Sequence, residues 1–206
     1  HALREGVLME LVGREHERDI RDDTVRRAMD AFGVDGRQAF HVQQTALQLF
    51  KSVAKPWRLR KRHRNLLRWS SALHEVGMFL TYAGYHKHGA YLLTYRKMPG
   101  FSRQEQRYIA TLVLGHRGQP SVDTLTGVAL SMNPRLQRLI VLLRIAVRIH
   151  RRRSPRPPPE VQVELQDEVL HLHFPEGWLE DRPLTQGDLE EDKNYLAQLG
   201  VQLEIN

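Results

Sequence analysis

Apolar residues recur every three to four positions through most of the first 150 residues, the spacing typical of amphipathic helices. One such stripe covers 39–53 and ends before Pro56, and a second covers 66–80. Short helices are predicted at 86–95 and behind Ser102, which forms a capping-box pattern with Glu105. The Asn133-Pro134 pair predicts the start of another apolar helix, since asparagine caps helices and proline fits their first turn.

The pattern changes at RRRSPRPPPE, residues 151–160, because three consecutive prolines cannot continue a helix. Beyond them, apolar and polar residues alternate at 161–165, and a second apolar run covers 169–174, as expected for strands joined by a turn at Gln166-Asp167. A helix capped by Asp188 and a last strand, VQLEI, follow. The fold class predicted is mainly α: a multi-helix domain followed by a small α+β domain of about three strands and one helix.

Charge divides the chain at the same place. Residues 1–156 hold 29 Lys and Arg against 12 Asp and Glu, a net +17, whereas residues 157–206 hold 2 against 12, a net −10. This asymmetry predicts a polyanionic partner for the first part, and an acidic tail able to dock onto part of the basic surface. The absence of cysteine excludes disulfides and thiolate metal sites, and agrees with a cytoplasmic location.

The basic residues gather in two segments, both candidates for binding inorganic polyphosphate. The first consists of Lys55, Arg58, Arg60, Lys61, Arg62 and Arg64. The second consists of Arg144, Arg148, Arg151 and Arg152, followed by Arg153 and Arg156. Guanidinium groups grip phosphate in bidentate fashion, and release of condensed counterions favours binding. The alternative is that each run is a solvated connector. Trp57, inside the first segment, is expected to pack on a helix rather than stack on a base.

Histidines supply the other candidate chemistry. His74 and Glu75 are adjacent in LHEVG, His86 and His88 lie in YHKHGAYLL, and His116 ends a predicted helix. Imidazole and carboxylate groups suit divalent metals that activate water towards phosphorus. Three interpretations stay open: histidines that cap helices and satisfy hydrogen bonds, phosphate contact through His86 and His88, or a metal centre.

The order of these segments, ending in LLRIAVRIH, resembles the HD-domain superfamily of metal-dependent phosphohydrolases. His74-Glu75 stands where that superfamily has a His-Asp doublet, and no carboxylate follows LLRIA. The resemblance therefore implies a degenerate HD-like site formed by His74, Glu75, His116 and His150, without a metal.

The ordered set LREGVL, LLRWSSALHEVG, GYHKHGAYLL, MPGFSRQEQRYIATLVLGHRG and LLRIAVRIHRRR resembles the exopolyphosphatase and guanosine pentaphosphate phosphatase family over its C-terminal half. The resemblance implies that 1–18 end a preceding actin-like region, that 19–153 form an HD-like helical domain, and that 154–206 form the α+β domain. It also implies that the catalytic carboxylates, the phosphate-binding loops and a Mg²⁺ site belong to the absent N-terminal half. No catalytic residue or cofactor is expected here.

The leading functional hypothesis is a fragment of an exopolyphosphatase that binds the polyphosphate chain and supports processivity and homodimer formation, next to its N-terminal catalytic half. The alternatives are a guanosine pentaphosphate phosphohydrolase fragment, a metal-dependent HD-type nucleotide phosphohydrolase, and a nucleic-acid-binding module. No transmembrane helix is expected, because Arg138, Arg144 and Arg148 interrupt the most apolar run.

Overall fold

The computed structural model describes residues 19–129, 131–154 and 160–206. Seven α-helices follow one another in the first two ranges: α1 (Ile20–Ala31), α2 (Gly36–Val53), α3 (Lys61–Leu73), α4 (Tyr85–Tyr95), α5 (Arg103–Gly115), α6 (Val122–Ala129) and α7 (Pro134–Ile149). A 3₁₀ turn, Val76–Phe79, connects α3 to α4. The prediction for residues 1–18 lies outside the described residues.

Side-chain caps explain where several helices begin. Asp19 accepts a hydrogen bond from the backbone N–H of Arg21 at the start of α1, and Asp35 does the same for α2. The predicted capping box at the start of α5 is present, with Ser102 and Glu105 each bonded to the backbone of the other. Asn133 accepts from the N–H of Leu136 at 3.0 Å, as predicted for α7. Each cap satisfies donors that a helix leaves free at its first turn.

The helix predicted at 66–80 is divided in the structure. Helix α3 ends at Leu73, and the chain turns sharply through the 3₁₀ turn. Gly77 explains the break, because a Cβ there would lie 1.9 Å from the carbonyl oxygen of Tyr85 and 2.4 Å from the backbone nitrogen of Gly89. The backbone of the turn thus packs directly on α4, which only a residue without a side chain permits.

The small α+β part contains β1 (Gln162–Gln166), β2 (Val169–His173), α8 (Pro183–Gln198) and β3 (Gln202–Ile205). β2 lies between β1, which is antiparallel to it, and β3, which is parallel. Asp167 and Glu168 both have positive φ and form the two-residue turn, one position later than predicted. The prediction that Asp188 caps the helix is wrong: α8 begins at Pro183, whose ring fits a first helical turn.

Helix α7 lies at the centre of the core. Its residues Leu139, Ile140 and Leu143 have no exposed surface, and it contacts α2, α3, α5 and α8. The core continues through Leu172 and Leu189 of the α+β part. The fold class predicted from the sequence is confirmed, whereas the domain boundary at 153/154 stays a prediction. In the described ranges no helix is long and apolar enough to span a membrane.

Candidate functional site

The degenerate HD-like site is built on the ends of α3 and α5. His74 and His116 are the C-cap residues of these helices, and both are buried. Their Nδ1–H groups donate to the carbonyls of Ser71 at 2.7 Å and Val113 at 2.6 Å, so each ring is fixed by its own helix. The two rings meet edge to face with centroids 5.5 Å apart. The structure therefore brings together two of the predicted histidines.

Tyr85 and His86, at the start of α4, complete this cluster. Because Nδ1 of His116 donates, its Nε2 is an acceptor in the neutral ring, and it receives the hydroxyl of Tyr85 at 3.2 Å. His86 packs 6.3 Å from the His116 ring, and its buried Nδ1 has no hydrogen-bond partner among the described residues. Nε2 of His74 is also without such a partner.

Glu75 is paired with an arginine rather than left free for a metal. Its carboxylate bonds to Nη2 of Arg153, whose Nη1 reaches Asp35 at 3.1 Å. The Glu75 side chain is 6% exposed, and its Oε1 lies 3.7 Å from Nε2 of His74. A guanidinium group thus stands beside the carboxylate and imidazole that would bind a cation.

The other histidines of the prediction lie apart from this pair. His150 bonds through Nε2 to the hydroxyl of Thr45 at 2.8 Å and packs 5.7 Å from the ring of His41. His88 is half-buried on α4, and its side chain makes no hydrogen bond or ring contact with another described residue. Only His74, His116 and His86 form one cluster, with Glu75 at its edge.

The donor set does not fit a divalent metal ion. Nε2 of His116 receives Tyr85, and Glu75 is neutralised by Arg153, so that two of the three nearest donors are already engaged. In the part of the chain that the structure describes, no group of three or more His, Asp or Glu side chains is arranged to hold a metal.

Burial keeps these imidazoles neutral. It lowers the pKa of His74, despite the opposing charge of Glu75, and lowers the pKa of His116 well below its ordinary value. Burial also lowers the pKa of His86 and of His150 to about 4. Burial raises the pKa of Tyr85 to about 12, so its hydroxyl remains a donor to His116. These shifts suit a packed, hydrogen-bonded cluster.

Arg144, predicted to contact polyphosphate, is buried inside the protein. Its guanidinium is 1% exposed and donates to both carboxylate oxygens of Asp192, at 2.8 and 2.6 Å. It also donates to the carbonyls of Gly115 and Gly118, and lies 4.6 Å over the ring of Tyr195. A solvent-borne phosphate cannot reach this group, so the structure supports a packing role for Arg144 instead.

Arg148 and Arg151 bind the same acidic helix. Arg148 pairs with Asp192 at 2.9 Å and with Asp188 at 3.2 Å, and Arg151 pairs with Asp188 at 2.6 Å. Arg152 donates to the carbonyl of Asp181 at 3.0 Å. The predicted docking of the acidic tail on the basic surface is therefore confirmed for this segment. Arg156 lies outside the described residues.

The basic segment 55–64 has a different environment. All six predicted cations are exposed: Lys55, Arg58, Arg60, Lys61, Arg62 and Arg64. Within the described ranges none of them forms an ion pair with a carboxylate, unlike Arg148 and Arg151. Arg135 and Arg138 of α7 approach the segment and donate to the carbonyls of Arg58 and Trp57, respectively. Trp57 is 1% exposed and packs in the core, as predicted.

The start of α3 adds to this positive surface. Its first turn holds no acidic residue, and Lys61 and Arg62 lie at the helix end that is already positive. His63 bonds through Nδ1 to the backbone N–H of Arg60 at 2.8 Å. Burial, and then the charges of Arg62, Arg135 and Arg60, lower the pKa of His63 to about 4. The arrangement is electrostatically unfavourable without an anion and favourable with one.

A cleft of about 110 Å³ opens beside the histidine cluster. Glu75 and His116 line one side, and residues from the end of α7 and from α8 line the other. Half of the lining residues are charged, and they include four arginines, three of which belong to the second basic run, 144–156. The cleft is thus polar and can hold a small charged group.

Comparison with known proteins identifies the family. Residues 20–193 match the sequence model of Ppx/GppA phosphatase, domain III. The chain belongs to the Ppx/GppA phosphatase family. It is 37% identical, over its whole length, to 41% of the guanosine-5'-triphosphate,3'-diphosphate pyrophosphatase of Pseudoalteromonas translucida (strain TAC 125). It is 30% identical over 97% of its length to 40% of the protein of the same name from Aeromonas salmonicida (strain A449). The chain thus spans about 40% of the length of these curated relatives.

Several residues of this Ppx/GppA domain were missed by sequence reasoning. The sequence predicts Asp188 as a helix cap and counts Asp192 only as part of the acidic tail. Their i, i+4 spacing places both on one helix face, and that face packs against α7. Arg117, which lines the cleft, directly follows His116 but belongs to neither basic run. Glu75 and Arg153 are 78 positions apart, and no sequence signal joins them.

Proposed function

We propose that this chain is part of a phosphohydrolase that removes a phosphate group from guanosine 5'-triphosphate 3'-diphosphate, and that its helical part holds the phosphate-bearing substrate. Catalysis is assigned to the remaining part of the family's length, with Mg²⁺ expected there. The name of the relatives, guanosine-5'-triphosphate,3'-diphosphate pyrophosphatase, supports the nucleotide as substrate. Polyphosphate, the leading hypothesis from the sequence, is retained as a second candidate because the basic segment is long enough to contact several phosphates.

The observation that carries the holding role is the basic segment 55–64. Its six cations are exposed and have no carboxylate partner in the described ranges, so their charge is available to a ligand. The start of α3 adds the partial positive charge of a helix N-terminus beside them, a common environment for a bound phosphate. By contrast, the arginines at the end of α7 are largely neutralised by Asp188 and Asp192.

Salt dependence of binding tests this role. The chain should bind long polyphosphate at low salt, and the affinity should fall steeply as salt rises, because binding releases condensed counterions. Changing Lys61, Arg62 and Arg64 together to Gln should lower the slope of log K against log salt by about 2, for three contacts of roughly 0.7 each. Fluorescence anisotropy with a labelled polyphosphate measures both quantities.

A matched control removes the same charge elsewhere. Arg26, Arg27 and Arg37 are exposed on α1 and α2, and their triple change to Gln should leave the slope within error of the unchanged chain. An equal loss in both triple variants would mean that net charge, not this segment, attracts the polyanion. Absence of binding at low salt would remove the holding role altogether.

Two comparisons separate the alternatives. Phosphate release from guanosine 5'-triphosphate 3'-diphosphate and from polyphosphate, measured on a protein with the family's full length, separates the two substrates; a kcat/KM higher for polyphosphate would favour the second candidate. Competition between RNA and polyphosphate at equal phosphate concentration tests the nucleic-acid alternative. Stronger binding of RNA would overturn the assignment.

A further inference from the structure

Four arginines converge on the 110 Å³ cleft beside the histidine cluster: Arg117, Arg148, Arg151 and Arg153. Two carboxylates, Glu75 and Asp188, also line it. Asp35 and Asp192, which lie outside the lining, also pair with Arg153 and Arg148. Within the described ranges, the lining charge left without a carboxylate partner is therefore that of Arg117, and both imidazole rings nearest to the cleft are neutral. A cleft with this balance attracts an anion rather than a metal ion.

The cleft lies beside the C-terminal ends of α5 and α7, and helix C-termini carry a partial negative charge that repels an anion. Two arginines offset part of this negative charge. Arg144 donates to the carbonyls of Gly115 and Gly118 at 3.3 and 2.5 Å, behind the cleft wall, and so occupies acceptors at the end of α5. Arg148 lies in the last turn of α7, where its positive charge opposes the partial charge of that helix.

Donors for a ligand remain on three of these arginines. Arg117 has no carboxylate partner in the described part of the chain, and its guanidinium lies 5.4 and 5.2 Å from the rings of Tyr82 and Tyr85. Arg151 uses Nη1 for Asp188, and Arg153 uses its two Nη atoms for acceptors on the protein. Because a guanidinium has five N–H donors, Arg151 and Arg153 both retain donors that these bonds do not use.

The size of the cleft limits the ligand. A water molecule occupies about 30 Å³ in the liquid, so 110 Å³ accommodates a group of three or four oxygen-sized atoms. A tetrahedral phosphate, with four oxygens around one phosphorus, fits a space of this size. Arginine donors match its oxygens in bidentate fashion.

We propose that this cleft binds a single phosphate group, with Arg117 as its principal contact and Arg151 and Arg153 as supporting donors. The ligand is either inorganic phosphate or the terminal phosphate of a nucleotide. At this degenerate HD-like site the arginines, not a metal ion, supply the positive charge. The site is distinct from the basic segment 55–64 and does not depend on the function proposed for it.

Isothermal titration of the 206-residue chain with inorganic phosphate, at constant ionic strength, tests the proposal. Saturable binding with one site is expected, and Arg117→Ala should weaken it about tenfold, the loss of about 1.4 kcal/mol of a charge-assisted contact. Arg27→Ala, which removes an exposed cation of α1 outside both basic segments, should leave the affinity unchanged. If Arg117→Ala does not fold, Arg117→Lys keeps the charge without the planar fork and should weaken binding several-fold.

Guanosine triphosphate in the same titration identifies the source of the phosphate. If guanosine triphosphate competes with inorganic phosphate, and Arg117→Ala weakens the binding of both, the site takes a nucleotide's terminal phosphate. If guanosine triphosphate does not compete, the site takes free phosphate. No saturable binding by the unchanged chain at millimolar phosphate would overturn the proposal. Equal weakening by Arg117→Ala and Arg27→Ala would also overturn it, because net charge would then explain the loss. A larger loss in the triple change of Lys61, Arg62 and Arg64 to Gln than in Arg117→Ala would overturn it too, because the basic segment would then be the site.

Discussion

The buried ion pairs of Asp192 support a strong prediction about stability. Asp192 is 1% exposed and accepts four hydrogen bonds, two from Arg144 and two from Arg148. Burial alone would raise the pKa of this carboxyl, but the two arginines outweigh it and the pKa is lowered. The carboxylate is therefore charged at neutral pH and joins α8 to α7. Asp192→Asn keeps the shape of the side chain and removes its charge.

The cost of this change follows from what remains behind. Arg144 would stay buried, with its positive charge no longer compensated, although it would retain its carbonyl acceptors and the Tyr195 ring. Breaking a buried pair in this way costs about 3–5 kcal/mol. Urea unfolding at pH 7, followed by circular dichroism, should show that loss in the free energy of unfolding. It is a large part of the roughly 5–15 kcal/mol that stabilises a typical domain.

Asp188→Asn is the matched control on the same helix. Asp188 also pairs with two arginines, but one of them, Arg151, has a side chain that is 46% exposed, so water replaces much of the lost interaction. A loss of about 1 kcal/mol is expected. If Asp192→Asn destabilises no more than this control, the buried charges do not hold α8 on α7, and the packing role assigned to Arg144 is wrong.

Three further predictions concern other parts of the helical domain. The folded pKa values of His63, His86 and His150 are about 4, below the ordinary 6.5, so unfolding takes up protons between these pH values and stability should fall as pH falls. Each should contribute roughly 2 kcal/mol of loss between pH 7 and pH 5, and equal urea midpoints at the two pH values would contradict this. Gly77→Ala should destabilise by about 3 kcal/mol or more in the same unfolding assay, since its Cβ would meet backbone atoms of α4; a loss under 1 kcal/mol would show that the turn can shift. Asn133→Ala should cost about 1 kcal/mol through loss of the α7 cap, and an unchanged thermal midpoint would argue against that cap.

Helix and strand periods were sufficient to predict the fold class because local pattern and packing agree through most of the chain. They failed where a tertiary contact decides the local structure. The apolar period continues from 66 to 80, yet the chain breaks after Leu73 because Gly77 must approach the backbone of α4. Likewise Asp188 resembles a helix cap in sequence, but its carboxylate is used by Arg148 and Arg151 from another element.

The candidate site shows the same limit for charge. The sequence predicted the net positive charge of the helical part and the docking of the acidic tail on it, because both depend only on the net charge of each part of the chain. It could not predict which arginines the tail would neutralise, because that depends on burial and on spacing across α7 and α8. Arg144 and Arg58 are equivalent in a charge count, whereas in the structure one is buried against Asp192 and the other is exposed.

The pairing of the Glu75 carboxylate with Arg153 decides which ligand the HD-like cluster can bind. With Glu75 bound to Arg153 and Nε2 of His116 bound to Tyr85, adding a divalent ion would require breaking two buried interactions before any metal bond could form. An anion meets no such requirement, because Arg117, Arg151 and Arg153 line the cleft and have more N–H donors than their existing ion pairs use. The helix ends that would hold a metal ion in an HD-type enzyme therefore form a phosphate site in this protein. Arg117 and Arg153 supply the positive charge there.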